Sequence, residues 1–194
     1  MKKTIIVIFA LVYLVGFVYL AIPIKPLPDI SDSTRSHEPG DTVQNPNQKA
    51  FFTQKDRKTV IGEIKDKSTI SIFGFKIPPL TLNYRPEETA LFVRKLINSN
   101  YLEEIVYPLR SSVFVNGWEP ENAPIFKDYS DEKRPYIEIN NIRYLAKITL
   151  RPVTSSVISR FLVWSLILPS LFLSLLSLKK SFSKDIYQDL KKYV

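Results

Sequence analysis

The sequence predicts an α+β protein: a small mixed extracytoplasmic domain, a helix plus antiparallel strands, between two transmembrane helices. Three observations lead there. Residues 161–178 run eighteen positions without a charge, and as a helix they would cover about 27 Å of a hydrocarbon core of about 30 Å. Residues 5–22 form a matching apolar run near the start. Between them, short stretches alternate apolar and polar residues, Gly and Pro break them, and one stretch has the period of an amphipathic helix.

The formal charge of +8 would suggest nucleic acid if a folded domain carried it. Residues 25–156 instead hold 19 Lys+Arg against 17 Asp+Glu. The remaining excess sits at Lys2, Lys3, Arg160 and the tail after Leu178. Basic residues at the ends of apolar spans follow the positive-inside pattern, so no nucleic-acid partner is expected. The chain has no cysteine, which excludes disulfides, zinc–thiolate sites, iron–sulfur clusters and cysteine nucleophiles together.

Residues 1–22 read as an N-terminal transmembrane anchor. Lys2 and Lys3 ahead of an apolar run have the layout of an export signal, but the run is long and no small-x-small site follows, so an uncleaved signal-anchor is expected. Residues 23–48 contain Pro23, Pro26, Pro28, Pro39 and Pro46 and few apolar residues, which predicts a Pro-rich disordered linker. His37, the only histidine, lies here with nothing to hold it as a ligand or base.

Residues 49–156 read as the extracytoplasmic α+β domain. Ile70 and Ile72, then Leu80, Leu82 and Tyr84, alternate with polar residues, and Gly74 and Pro78-Pro79 separate them into short strands. Residues 86–99 have the strongest soluble helix signal: Pro86 at the first position, Glu87 and Glu88 in the first turn, and an apolar face of Phe92, Val93, Leu96 and Ile97. Leu102, Ile105 and Val106 predict a shorter helical turn over 101–107, ended by Pro108. A strand is expected over 111–115, ended by Asn116-Gly117, with polar loops at 118–124 and 127–135. Residues 136–151 predict a hairpin turning at Asn140-Asn141, with Ile139 facing Ile142, Ile137 facing Tyr144 and Glu138 facing Arg143. Its second strand delivers the chain almost directly to the second transmembrane helix, 157–178, so the strand-rich half is expected near the membrane.

Within the second span, Pro169 is expected to kink the helix. Ser170, Ser174, Ser177 and Ser181 recur on one face, a stripe suited to packing against the first span, a second copy or another membrane protein. Residues 179–194 read as a basic cytosolic tail, in which Phe182, Ile186 and Leu190 share one helical face. Both termini are then cytosolic in a cell inner membrane.

Little points to catalysis. The domain has no histidine for a serine-hydrolase triad, and the chain has neither HExxH nor a Gly-rich phosphate loop. Trp118 with Glu119, Glu121 and Asn122 would suit a sugar site, the indole as an apolar platform beside acid groups. Asp128, Asp131 and Glu132 lack the spacing of a calcium loop, and no metal or cofactor is expected. Glu87/Glu88 read as helix-start residues and Glu103/Glu104 as an exposed helix side.

The functional expectation is a two-pass membrane protein, non-catalytic, serving as an accessory or assembly subunit of a membrane complex in envelope biogenesis. Its expected partner is another integral membrane protein, or itself, through the second span. The alternatives are an extracytoplasmic sugar-binding or sugar-processing domain centred on Trp118, and a ligand sensor signalling through the second span. The layout of anchor, domain, anchor and basic tail is shared by polysaccharide chain-length regulators, without the length for their helical extension.

Overall fold

A computed structural model describes residues 2–72, 74–84, 99–123, 126, 128–130 and 133–191, with side chains through residue 180. The chain forms two compact units. One is a helical hairpin built from Met1–Pro23 and Ser155–Val194, and the other is an α+β domain, Ile24–Thr154. The helix expected over 86–99 lies outside the described residues except for Ser99.

The domain is a six-stranded antiparallel sheet with different cover on its two faces. Its strands are β1 (Ser33–Arg35), β2 (Lys49–Thr53), β5 (Leu80–Tyr84), β6 (Tyr101–Tyr107), β7 (Ser111–Trp118) and β10 (Ala146–Thr154), in the order β1-β2-β10-β7-β6-β5. A hairpin of β3 (Ile70–Ile72) and β4 (Phe75–Ile77) turns at Gly74, whose φ of +85° favours glycine. The hairpin of β8 (Ile137–Ile139) and β9 (Ile142–Tyr144) has the expected register, and Asn140 and Asn141 both have positive φ, as a type I′ turn requires. The chain bends at Leu145, so the expected single second strand is two strands in different sheets.

Helix α2 (Arg57–Ser68) packs on one face of the large sheet. Asp56 caps it by accepting from the Thr59 amide at 3.0 Å. Val60, Ile61 and Ile64 then fall on one side and meet Ile30, Phe51, Tyr101, Ile105, Val115, Ala146, Ile148 and Leu150. Each such aliphatic side chain, fully buried, contributes about 1.5–3 kcal/mol. On the other face, Phe52, Ile137 and Tyr144 form a second cluster with Trp118 and Ile139.

Two expectations are corrected here. Residues 101–107 are strand, not a helical turn: Tyr101, Glu103, Ile105 and Tyr107 are buried and alternate with half-buried neighbours. Both edges of β6 are paired, with β5 and β7, and that tertiary context overrides an ambiguous local pattern. Residues 24–48 are packed into the domain instead of forming a disordered linker. Leu27 and Ile30 enter the core, and β1 pairs with β2. Lysines fasten the backbone between the prolines, Lys67 Nζ donating to the Asp29 carbonyl at 2.6 Å and Lys49 Nζ to the Leu27 carbonyl at 2.9 Å, while Lys25 Nζ of the segment itself donates outward to the Thr69 carbonyl at 2.8 Å.

Glu63 completes this fastening. It accepts from the Ser31 amide, Lys55 and Lys67 at 2.6, 2.7 and 2.6 Å. Burial alone would raise its carboxyl, but these hydrogen bonds outweigh burial and bring it to about 2, from 4.5. A depressed carboxylate stabilises the fold fully above its unfolded value and loses that contribution as pH falls through its folded value. The domain is therefore expected to lose thermal stability between about pH 4.5 and pH 2. In Glu63→Gln the slope of melting temperature against pH over that window should flatten; an unchanged slope would refute the assignment.

In the helical hairpin, α1 (Lys2–Ala21) and α3 (Val157–Lys191) pack antiparallel. Stretches of 19 and 24 residues, Lys3–Ala21 and Val157–Lys180, are long and apolar enough to cross a membrane. The Phe9 and Phe172 ring centroids lie 4.4 Å apart and those of Phe17 and Phe161 4.7 Å apart. Between these layers Tyr13 Oη and Ser165 Oγ are hydrogen-bonded at 2.9 Å, and Trp164 Nε1 donates to the Tyr13 carbonyl at 3.1 Å. Arg160 is buried at the end of α1, donating to the Leu20 carbonyl at 3.4 Å and to the Ser155 carbonyl at 2.5 Å. It thus satisfies a carbonyl that the end of α1 leaves without a helical partner. Pro169 sits inside α3, which continues as helix through residue 191.

Candidate functional site

The four residues expected to share a sugar site do not come together: Trp118 lies on one side of the sheet, and Glu119 and Asn122 on the other. Trp118 ends β7, and side chains alternate along a strand. Trp118 packs with Phe52 and the β8–β9 hairpin, whereas Glu119 and Asn122 line a cleft beside α2. Glu121 lines neither region and pairs with Arg143 of the hairpin at 2.9 Å. Arg143 stands opposite Glu138 in register, but its guanidinium goes to Glu121 and stacks 5.1 Å from the Tyr136 ring centre.

Two concave regions result. The first, about 450 Å³, lies on the hairpin side, with Phe52, Trp118, Tyr136 and Ile137 as its apolar wall and Asn116, Glu138 and Thr149 as polar groups. Lys147 and Glu38 form its rim. Lys147 bridges Glu38 at 2.6 Å and Asp41 at 2.8 Å, and Ser36 Oγ donates to Asp41 at 2.6 Å. Burial would lower the Lys147 ammonium, but its bonds to Asp41 and Glu38 outweigh that and hold it above its ordinary value. This network orders the Ser36–Asp41 turn within the segment expected to be a linker. His37 is exposed on it.

The second region, about 740 Å³, is lined by Asp56, Arg57, Lys58, Ile61, Gly62 and Lys65 of the α2 segment and by Glu103, Glu119 and Asn122. Glu103 is buried and accepts from Arg57 Nε at 2.7 Å. This corrects the expectation that Glu103 and Glu104 line an exposed helix side; Glu104 instead accepts from Tyr84 Oη. Asn100 fixes the Glu119 backbone from both sides, accepting from its amide at 2.7 Å and donating to its carbonyl at 2.9 Å. Glu119 is 8% exposed; Asn122 Nδ2 donates to its Oε2 at 3.1 Å, and Oε1 is buried with no partner among the described residues. Tyr101 Oη is likewise buried without a partner there, and burial and the Glu119 charge raise its phenol well above the ordinary value.

No family model, curated protein or solved structure matches this chain.

Among the other expected positions, Ser170, Ser174 and Ser177 are exposed on α3, away from the residues that meet α1. Ser170 Oγ donates to the Leu166 carbonyl at 2.6 Å and Ser174 Oγ to the Ser170 carbonyl at 2.9 Å. The α1 contact uses Phe161, Trp164, Ser165 and Phe172 instead. Asp128 is exposed, and Asp131 and Glu132 lie outside the described residues. Among the described residues no group of three acidic or histidine side chains could hold a metal.

Sequence reasoning missed α2 and with it Arg57, Lys58 and Lys65. The signal was there: Asp56 as a cap, Val60, Ile61 and Ile64 as a stripe, and Lys65 and Lys67 in the last turn.

Proposed function

We propose that this chain is a two-pass inner-membrane protein whose α+β domain lies outside the cytosol, serving as a non-catalytic accessory or assembly subunit of a complex that handles envelope material. The observation that supports it is the use of α3's surface. One face is committed to α1 through Phe161, Trp164, Ser165 and Phe172, and a second face presents Ser170, Ser174 and Ser177. The serine hydroxyls of 170 and 174 bond to their own helix, so packing of another helix here rests on the small size of the stripe and not on hydroxyl bonds across the contact. Purification from native membranes in mild detergent should bring down one stoichiometric integral membrane partner. Ser170→Leu with Ser174→Leu should reduce its recovery at least tenfold, and full recovery would refute this use of the face.

A second reading is favoured by the groove at Trp118. An apolar wall of Phe52, Trp118 and Tyr136 beside Asn116, Glu138 and Thr149 suits a neutral sugar, whose ring faces are apolar and whose edges carry hydroxyls. Chitotetraose binding by the full chain should fall at least tenfold in Trp118→Ala with the fold retained. No difference between the two proteins would remove this reading.

A further inference from the structure

The cleft beside α2 is a second, chemically distinct site, and we infer that it takes an acidic glycan segment, with sugar hydroxyls at Glu119 and Asn122 and anionic groups at Lys58 and Lys65. It shares only the ligand class with the Trp118 groove and rests on different residues.

The inner wall points to a hydroxyl donor. Glu119 is more than nine-tenths buried, Asn122 holds one of its oxygens, and the other has no partner among the described residues. A buried carboxylate oxygen left unpaired is costly, and a ligand O–H is the donor that removes that cost. The carboxylates of Glu119 and Glu103 disfavour a phosphate or carboxylate at the same depth.

The outer wall points to anions. Arg57 is occupied by Glu103 and Asn83, at 2.7 and 2.9 Å. Lys58 and Lys65 line the cleft in no ion pair among the described residues; Asp56, on the same wall, accepts from the Thr59 amide and feels the Lys58 charge, leaving Lys65 the freer cation. The two lysines stand seven positions apart on α2 with Gly62 between them, which places them about 10 Å apart along the helix. Gly62 leaves the wall bare there, because a Cβ on it would meet nothing within 4 Å.

That spacing separates a glycan from an acidic peptide. In an extended peptide about 10 Å is a step of three residues, from i to i+3, and those two side chains point to opposite faces. Two acidic side chains on one face stand about 7 Å apart instead. A sugar chain acidic at alternate residues carries both hydroxyls and regularly spaced charges, the two kinds of group that Glu119 and the two lysines call for.

The test is calorimetric titration of the full chain in lipid nanodiscs with a hyaluronan tetrasaccharide, chitotetraose and tetraglutamate. The tetrasaccharide should bind, more weakly as salt rises. Its affinity should fall at least tenfold in Gly62→Trp, which fills the cleft, and in Lys58→Ala with Lys65→Ala, which removes only surface charge and keeps the test valid if the filled cleft misfolds. Trp118→Ala should leave it unchanged. Any of three results overturns the inference: no tetrasaccharide binding at millimolar concentration, tighter binding of tetraglutamate, or tetrasaccharide binding lost in Trp118→Ala but kept in Gly62→Trp. The last would place all glycan binding in the other groove. Conversely, chitotetraose binding that ignores Trp118→Ala would defeat the Trp118 reading and leave this one standing.

Discussion

Gly117→Val is expected to destabilise the α+β domain by about 3 kcal/mol or more, among the largest effects a single substitution can have here. Gly117 lies inside β7, opposite Tyr101 of β6 and Ile148 of β10. A Cβ at this position would fall within the Tyr101 ring. The ring cannot swing clear: Tyr101 is 3% exposed, and the Arg57 guanidinium sits 4.7 Å from its centre. A domain of this size has about 5–15 kcal/mol in total, so the variant should melt roughly 10 °C lower or fail to fold. Tyr101→Ala added to Gly117→Val should recover part of the loss, since the two side chains contest one space. A melting temperature for Gly117→Val like that of the parent would show that the ring does not hold this position.

Gly16→Leu is expected to open the helical hairpin. A Cβ on Gly16 would fall within the Trp164 ring, and Trp164 is held by its bond to the Tyr13 carbonyl. Overpacking of this kind costs about 1–3 kcal/mol. Helices in lipid associate mainly through close packing, with no hydrophobic drive to offset the loss. The chain has no cysteine, so Phe9→Cys with Phe172→Cys gives a clean reporter. A short thiol crosslinker should join them in the otherwise unaltered chain and do so roughly tenfold more slowly with Gly16→Leu, the rate equivalent of about 1.4 kcal/mol. Equal rates would mean that Trp164 does not seat against Gly16.

Both positions show how an unremarkable glycine in the sequence becomes a fixed contact in the fold. Asn116-Gly117 reads locally as the end of a strand. In the structure β7 continues through it to Trp118, because strands on both sides pair with it and the Tyr101 ring needs the missing side chain. The serine stripe was the visible small-residue feature of α3, yet α1 seats Trp164 against Gly16 on another face. A tryptophan's partner lies some 150 positions away in sequence, and no local period carries that information.

What the sequence determined by itself was whatever is written in local spacing. The two apolar runs, the β8–β9 hairpin with its Asn-Asn turn and register, and the short strands about Gly74 follow from periods and turn residues within a few positions. Only the tertiary structure decided the rest. The segment 101–107 could satisfy a helix or a strand, and pairing on both edges chose strand, turning Glu103 inward to Arg57. The proline-rich segment 24–48 has too little apolar surface to order itself, and lysines from β2 and α2 order it through its carbonyls. Trp118, Glu119 and Asn122 form one cluster in the sequence and line two separate concave regions in the fold, because a strand sends adjacent side chains to opposite faces. Which face each one meets depends on α2 and on the β8–β9 hairpin, elements that only the folded chain brings against β7.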